Sequence, residues 1–144
     1  MRLVNSIENG IVIDHITAGK GMIVYNELKL KDVFNTTVLL MNIPSKHLNK
    51  KDIIKIEGDF KLDSKVLGLI DTNIIVNYIE DNKVVKKEHV AVPNEVSDII
   101  KCDNPRCISH SDDYAKPIFT LVKQNGELEY QCSYCEEITK IKFK

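Results

Sequence analysis

Two hydrophobic patterns alternate along the first ninety residues. In some segments branched apolar residues run together or alternate with polar ones, which is typical of strands. In others, apolar residues recur every three or four positions, which is typical of helices. The predicted strands are 3–7 and 11–16, parted by the turn dipeptide Asn9-Gly10, then 37–43 (ended by Pro44), 52–57, 74–79 and 83–90. The predicted helices are 19–30 and 65–72, the second with Ser64 as its N-cap.

This order of elements is β-α-β-β-α-β with one additional strand. It predicts an α+β fold of the ferredoxin-like sandwich type, in which two helices cover one face of an antiparallel sheet. The other face is then free for a ligand or a partner. Along the predicted strand 52–57, Ile54 and Ile56 share one face while Ile53 and Lys55 share the other, because side chains alternate.

The last third of the chain predicts a second, smaller domain. Residues 118–123 and 128–131 bracket Asn125-Gly126, a strong hairpin signal, and 138–143 alternates as a closing strand. The predicted organisation is an N-terminal domain, 1–91, a join without regular structure, 92–100, and a small all-β, zinc-ribbon-like domain, 101–144. A module this short generally needs a metal or disulfides to fold.

Charge and hydropathy exclude some classes of partner. The net charge is −1, so we expect no general affinity for nucleic acid. No apolar run approaches the roughly 18 residues of a transmembrane helix, and Met1-Arg2 is not followed by the apolar core of a signal peptide. We therefore expect a cytoplasmic protein without a membrane partner.

The four cysteines are the strongest chemical signal, with the spacing C-x4-C-x24-C-x2-C. Two close pairs separated by a loop favour one structural zinc ion held by Cys102, Cys107, Cys132 and Cys135. A disulfide pair or inert thiols are the alternatives. His110 either replaces one ligand or hydrogen-bonds to nearby backbone. Four thiolates would leave no coordination position for a reactive water, so this zinc is expected to be structural and not catalytic.

Two polar features lie among the apolar strands. Asp14 and His15 interrupt an apolar strand, and their side chains are expected on opposite faces. In one interpretation, one of the two contacts a ligand. In the other, the histidine makes its hydrogen bonds within the protein. Lysines at 50, 51 and 55, and at 83, 86 and 87, either clamp phosphates or form a solvated edge. The segment 18–21 lacks a full phosphate-loop pattern and is interpreted as a flexible turn.

Taken together, these residues resemble the regulatory chain of aspartate carbamoyltransferase over essentially the full length. The segments that carry the resemblance are G-I-V-I-D-H-I (10–16), N-I-P-S (42–45), K-D-I-I-K-I-E (51–57), V-N-Y-I-E-D-N-K-V-V-K-K (76–87), C-x4-C-I-S-H (102–110) and C-x-Y-C-E (132–136). The resemblance implies a non-catalytic subunit of pyrimidine biosynthesis. Its N-terminal domain would bind CTP, ATP and UTP and pair with a second regulatory chain, and its zinc domain would dock on the catalytic chain.

The resemblance also implies roles for individual residues. Lys55 and Lys87 would meet phosphates or the ribose, and Asp14 the ribose or a phosphate, which favours the phosphate-clamp interpretation of the lysines. The implied nucleotide contacts are Val4, Ser6, Ile7, Asp14, His15, Lys55, Asn77, Ile79, Val84 and Lys87. The implied zinc ligands are Cys102, Cys107, Cys132 and Cys135, and the implied contacts with the catalytic chain are Asn104, Tyr134 and Glu136.

Two substitutions depart from the family pattern near the base or ribose, Ser6 in place of alanine and Asn82 in place of tyrosine. The N-terminus is also shorter by several residues. A zinc-ribbon protein that binds nucleic acid is the main competing class, although the balanced charge and few aromatic residues argue against it. A free-standing enzyme is the third class, and no nucleophile or paired carboxylates support it.

Overall fold

The fold was obtained as a computed structural model, which describes residues 7–143. The chain divides into two compact units, and the boundary lies between Ala91 and Val92. No helix among the described residues has the length and apolar character needed to cross a membrane.

Unit 1 is a five-stranded sheet with two helices. Its elements are β1 (Gly10–Thr17), α1 (Gly21–Glu27), a 3-10 turn (Leu30–Asp32), β2 (Thr37–Ser45), β3 (Asn49–Glu57), α2 (Ser64–Ile70), β4 (Ile75–Glu80) and β5 (Lys83–His89). The strand order is β2-β3-β1-β4-β5, and every neighbouring pair is antiparallel. The first four strands have the ferredoxin-like order, and β5 adds a hairpin at the edge, so the predicted fold class is confirmed.

The core of unit 1 lies between the helices and one face of the sheet. The alternating residues Ile11 and Ile13 of β1 and Ile54 and Ile56 of β3 are buried there, and α1 packs against α2, β2 and β3. Each such side chain stabilises the fold by roughly 1.5–3 kcal/mol relative to an exposed one. The opposite face of the sheet, the outer face below, is only half-buried along β1 and β3.

Both helices differ from their predicted bounds. The first ends at Glu27 because Lys29 adopts a left-handed conformation (φ 55°), so it does not extend over 19–30. The second begins at Ser64, which is helical and not the N-cap. The N-cap is Asp63, whose carboxylate accepts a hydrogen bond from the backbone N–H of Lys65 at 3.0 Å.

Two strands also differ from their prediction. Pro44 does not end the second strand, which continues to Ser45. β2 is an edge strand, and proline, which has no N–H to donate, is tolerated there. Of the predicted strand 3–7, residues 3–6 lie outside the described part of the chain, and Ile7 is not in a strand.

The segment 18–21 forms a turn into α1, as predicted, and its backbone is hydrogen-bonded to Asp52. The Asp52 carboxylate is fully buried and accepts hydrogen bonds from the backbone N–H groups of Gly19 (3.1 Å) and Gly21 (2.9 Å). Its other oxygen accepts one from the N–H of Asn42 in β2, at 3.0 Å. One side chain therefore ties β3 to the start of α1 and to the edge strand.

Unit 2 is a small four-stranded sheet. Its elements are β6 (Glu95–Val96), a 3-10 turn (Ile108–His110), β7 (Phe119–Lys123), β8 (Glu129–Cys132) and β9 (Ile138–Lys140), in the sheet order β6-β7-β8-β9. β6 lies within 92–100, where no element was predicted, and β9 is shorter than 138–143. The Tyr130 hydroxyl, whose pKa burial raises to about 12, donates to the Pro93 carbonyl at 2.7 Å.

Candidate functional site

The register of unit 1 aligns four predicted site positions in one row across the outer face. Val12 of β1 pairs with Lys55 of β3 on one side and with Asn77 of β4 on the other, and Asn77 pairs with Lys87 of β5. Directly opposed residues in a sheet project to the same face. The row therefore has a lysine at each end, with Val12 and Asn77 between them.

The next row along the sheet is apolar. Ile79 pairs with Gly10 and with Val84, which is 56% exposed. An irregularity in β5 opposite Tyr78 and Ile79 brings Val84 and Lys87, three positions apart, to the same face. The side chain of Ile7 lies close to Gly10, so Ile7 is at the same end of the face as Ile79. Val4 and Ser6, the other two positions predicted here, lie outside the described residues.

At the opposite end of the face, β1 contains a bulge. Ile13 and Ile16 are both fully buried although they are three positions apart, so Asp14 and His15 are both displaced from the core side. The prediction that these two side chains lie on opposite faces is therefore wrong. His15 has φ 59°, and its backbone N–H donates to the Asp14 carboxylate at 2.6 Å.

Lys51, one of the lysines predicted either to clamp phosphates or to form a solvated edge, lies at this end of the site, in an ion pair that the sequence did not indicate. Its ammonium group lies 2.9 Å from the Asp14 carboxylate, and both side chains are mostly buried. The signal was present in the alternation along β3, which gives Lys51, Ile53 and Lys55 the same face. What the sequence lacked was the bulge that brings Asp14 within reach.

The other lysines of the two predicted clusters are less central. Lys86 projects to the opposite face, where its ammonium group lies 5.2 Å from the centre of the Tyr78 ring. Lys50 and Lys83 are exposed near the ends of their strands. Asn82 occupies the β4–β5 turn, where Asp81 and Asn82 both have positive φ (50° and 64°), a conformation that asparagine and aspartate tolerate.

In unit 2 the four cysteines converge. Their sulfur atoms all lie within 4.8 Å of one another, with 3.5 Å between Cys102 and Cys135 and 3.8 Å between Cys107 and Cys132. All four are free, and three are buried. His110 is exposed and does not belong to this cluster, the one potential metal-binding group found among residues 7–143. The four sulfurs could thus hold one metal ion.

The local backbone explains how the pairs are presented. Asn104 turns the chain between the first two cysteines: its carbonyl accepts the N–H of Cys107, and its side chain accepts the N–H of Arg106, both at 3.0 Å. After the second pair, Glu136 has φ 63° and donates its N–H to the Cys132 carbonyl at 2.9 Å. Tyr134, between Cys132 and Cys135, is half exposed (49%).

The thiols are not electrostatically equivalent. Burial raises the pKa of Cys102 to about 12 and also raises the pKa of Cys132. The pKa of Cys107 is lowered to about 6, chiefly because the Ser109 hydroxyl donates to its sulfur at 3.1 Å. A bound cation stabilises the thiolate form of a cysteine. A metal ion would therefore favour deprotonation of the sulfurs whose pKa is raised by burial.

Comparison with known proteins agrees with this two-part structure. Residues 2–91 match the family model "aspartate carbamoyltransferase regulatory chain, allosteric domain", and residues 94–143 match the corresponding "metal binding domain". Curated relatives named aspartate carbamoyltransferase regulatory chain include one from Clostridium acetobutylicum, 51% identical over 97% of this chain and 95% of that protein. Others come from Clostridium tetani (45%, 98% of both chains) and Bifidobacterium longum (39%, 96% of this chain and 99% of that protein).

The matches cover nearly the whole chain, and they assign it an allosteric and a metal-binding domain but no catalytic one. The four clustered cysteines lie in the part that matches the metal-binding domain. The chain therefore belongs to the family of regulatory chains of aspartate carbamoyltransferase.

Proposed function

We propose that this chain binds the nucleoside triphosphates CTP, ATP and UTP on the outer face of unit 1, and thereby controls the catalytic chains of pyrimidine biosynthesis. The observation that carries the proposal is the row from Lys55 to Lys87, which lies beside an apolar end and a polar end of the same face. Such an arrangement suits a ligand that is apolar and planar at one end and anionic at the other.

The layout of the face suggests how a nucleotide is oriented. Ile7, Ile79 and Val84 offer apolar contacts for the base. Lys55 and Lys87 supply cationic donors for phosphate oxygens, for which charge-assisted hydrogen bonds are the stronger kind. Asp14, with its carboxylate already engaged by Lys51, lies where ribose hydroxyls or further phosphates would follow.

Nucleotide binding can be tested by calorimetry on the metal-loaded chain with Lys87→Gln and Lys55→Gln variants. Each is expected to weaken CTP binding at least about tenfold, because a hydrogen bond to a charged group contributes about 1.5–3 kcal/mol. Lys65→Gln, on the surface of α2, is the matched control and should bind as the unchanged chain does. If the unchanged chain binds none of the three nucleotides, the proposal is wrong.

We further propose that the metal is zinc, held by all four cysteines, in a cytoplasmic protein whose thiols stay reduced. For Zn–S bonds of about 2.3 Å, the edges of a tetrahedron of sulfurs are about 3.8 Å, close to the observed separations. Metal analysis of the purified chain should give one zinc per chain. Folded chain that contains iron in place of zinc, or that contains no metal, would contradict this assignment.

Unit 2 is proposed to contact the catalytic chain through the surface around the second cysteine pair. Asn104, Tyr134 and Glu136 lie on the turns that carry the cysteines, so loss of the metal would disturb all three. Native mass spectrometry of the chain mixed with catalytic chains should show a complex that a chelator abolishes. Tyr134→Ala should weaken the complex, while Tyr114→Ala, an equally large exposed change, should not. The reverse result would refute this surface.

Pairing of two regulatory chains is proposed to use unit 1. The nine-residue edge strand β2 leaves apolar side chains only half covered, and Met41 is 46% exposed. Unpaired edges of this kind are templates for pairing with a second strand. Sedimentation should therefore give a dimer for the isolated chain, and Met41→Lys should shift it toward monomer. Effectors would then bias the assembly only as far as they bind its two states unequally.

A further inference from the structure

His47 lies where the outer face meets the β2–β3 hairpin. It is an exposed residue of the loop between Ser45 and Asn49, and its ring centroid lies 6.4 Å from that of His15, with the two planes 39° apart. Neither composition nor motif spacing selects His47. The contact exists because the bulge in β1 carries His15 toward this hairpin.

The cluster around the two rings has features that do not serve stability. The Nδ1 atom of His15 is buried and has no hydrogen-bond partner among the described residues, although the Asp14 carboxylate lies 3.5 Å away. His15 also has a left-handed backbone, which costs roughly 1–3 kcal/mol and is concentrated at functional sites. A buried ring nitrogen without a hydrogen-bond partner, on a residue with a left-handed backbone, suits a group arranged for a ligand.

The cluster lies one step beyond the lysine row. Two residues along a strand cover about 7 Å, which is comparable with the length of a triphosphate chain. Lys51 is already paired with Asp14, so its charge is partly neutralised. The two imidazoles of the cluster are further donors for a terminal phosphate at this end.

Resting on the proposed nucleotide binding, we infer that His47 determines specificity for the number of phosphates, by holding the terminal phosphate together with His15. A nucleoside monophosphate would reach the lysine row but not this cluster. His47 would therefore contribute to binding of triphosphates and not to binding of monophosphates.

The test is calorimetry of the metal-loaded full chain with CTP and with CMP. His47→Gln should weaken CTP binding about tenfold and leave CMP binding within about twofold, as expected for one charge-assisted hydrogen bond. Lys46→Gln removes a cation from the neighbouring position of the same loop and is the matched control. It should change CTP binding by less than about twofold, because exposed charges are screened.

A second readout separates a contact from a structural role. Histidine changes its charge between pH 5 and 8. The ring of His15 lies beside His47, and Lys46 precedes it in the same loop. Asp14 lies next to His15 and is paired with Lys51 of β3, and His89 of β5 lies across Ile75 from Asp14. The ratio of CTP to CMP affinity should rise more steeply from pH 8 to pH 6 in the unchanged chain than in His47→Gln. Protonation of the nucleotides is common to both proteins and cancels.

Each outcome is decisive. Equal weakening of CTP and CMP by His47→Gln, an equal effect of Lys46→Gln, or an unchanged pH profile would overturn the inference while nucleotide binding stands. Failure of the unchanged chain to prefer CTP over CMP would do the same. Failure to bind either nucleotide would overturn the inference together with the proposed function.

Discussion

A single hydroxyl group makes one of the four clustered cysteines different from the rest. Ser109 donates to the Cys107 sulfur and holds the pKa of that thiol at about 6, while burial raises the pKa of Cys102 to about 12. Protons compete with the metal for each thiolate, so a ligand with a lowered pKa keeps its metal to lower pH. The Ser109 hydroxyl is therefore expected to favour metal binding at Cys107.

Replacing Ser109 by alanine should move metal release to higher pH. Without the hydroxyl, the pKa of Cys107 rises, protons displace the metal earlier as the pH falls, and affinity near neutral pH drops by roughly tenfold or more, as for other groups that hydrogen-bond to metal ligands. A pH titration of metal release into a chromogenic chelator measures this.

Ser111→Ala provides the comparison, since the Ser111 hydroxyl approaches only the Ile108 carbonyl, at 3.4 Å. An identical release curve for Ser109→Ala and Ser111→Ala would show that the hydroxyl does not tune the metal site.

β1 is the central strand of the five-stranded sheet and is paired on both sides. At its start, Gly10 has φ 148° and pairs with Glu57 and Ile79. A Cβ at this position would collide with the carbonyl oxygen of Ile56, which is backbone and cannot yield without opening the β1–β3 pair. The glycine is therefore required by the closeness of the two strands.

Gly10→Ala should lower the free energy of unfolding of unit 1 by at least about 3 kcal/mol, the sum of overpacking and backbone strain. Gly19→Ala, also at positive φ (98°) but with open space around the added carbon, should cost only the strain of about 1–2 kcal/mol. Urea unfolding of both variants gives the comparison. Equal losses would mean that the collision is relieved by movement of β3.

Element types could be predicted from periodicity because the strands and helices each bury one face. The alternation of Ile54 and Ile56, for example, is visible in the sequence, and it determines which face of β3 packs against the core. The bulge at Asp14 and His15 could not be predicted, since nothing local distinguishes it from regular alternation. The ion pair between Lys51 and Asp14 was missed for the same reason, because it depends on that bulge.

Ends of elements depend on single backbone conformations and on partners distant in sequence. Lys29 ends α1 by adopting positive φ, and Asp52 fixes a turn more than thirty positions away. The cysteine cluster is the contrary case: its spacing alone predicted a closed site, because a tetrahedral ion leaves few ways to bring two close pairs together.

At the scale of the whole molecule, the two units are stabilised by different means. Unit 1 has a continuous apolar core, whereas unit 2 buries few large side chains and contains the four convergent thiols. A domain as small as unit 2 is only marginally stable without a metal ion or disulfides.

Removal of the metal should therefore unfold unit 2 and spare unit 1. Hydrogen-exchange mass spectrometry with and without a chelator should show loss of protection over 92–143 only. A saturating nucleotide should do the converse and protect unit 1, by about 2.7 kcal/mol at a hundred times its dissociation constant. Loss of protection in both units on chelation would show that they fold as one.

The bulge in β1 has a consequence for how such chains diverge in evolution. Ile13 and Ile16 supply the core, and the two residues between them supply none of it. Substitutions at Asp14 therefore change the outer face without altering the apolar core, although they remove the ion pair with Lys51, and His15 can be exchanged for the few residues that accept its backbone conformation. Insertion or deletion of one residue there would move the following side chains of the strand to the opposite face of the sheet. Selection can thus change the side chains at these two positions while it holds their number fixed.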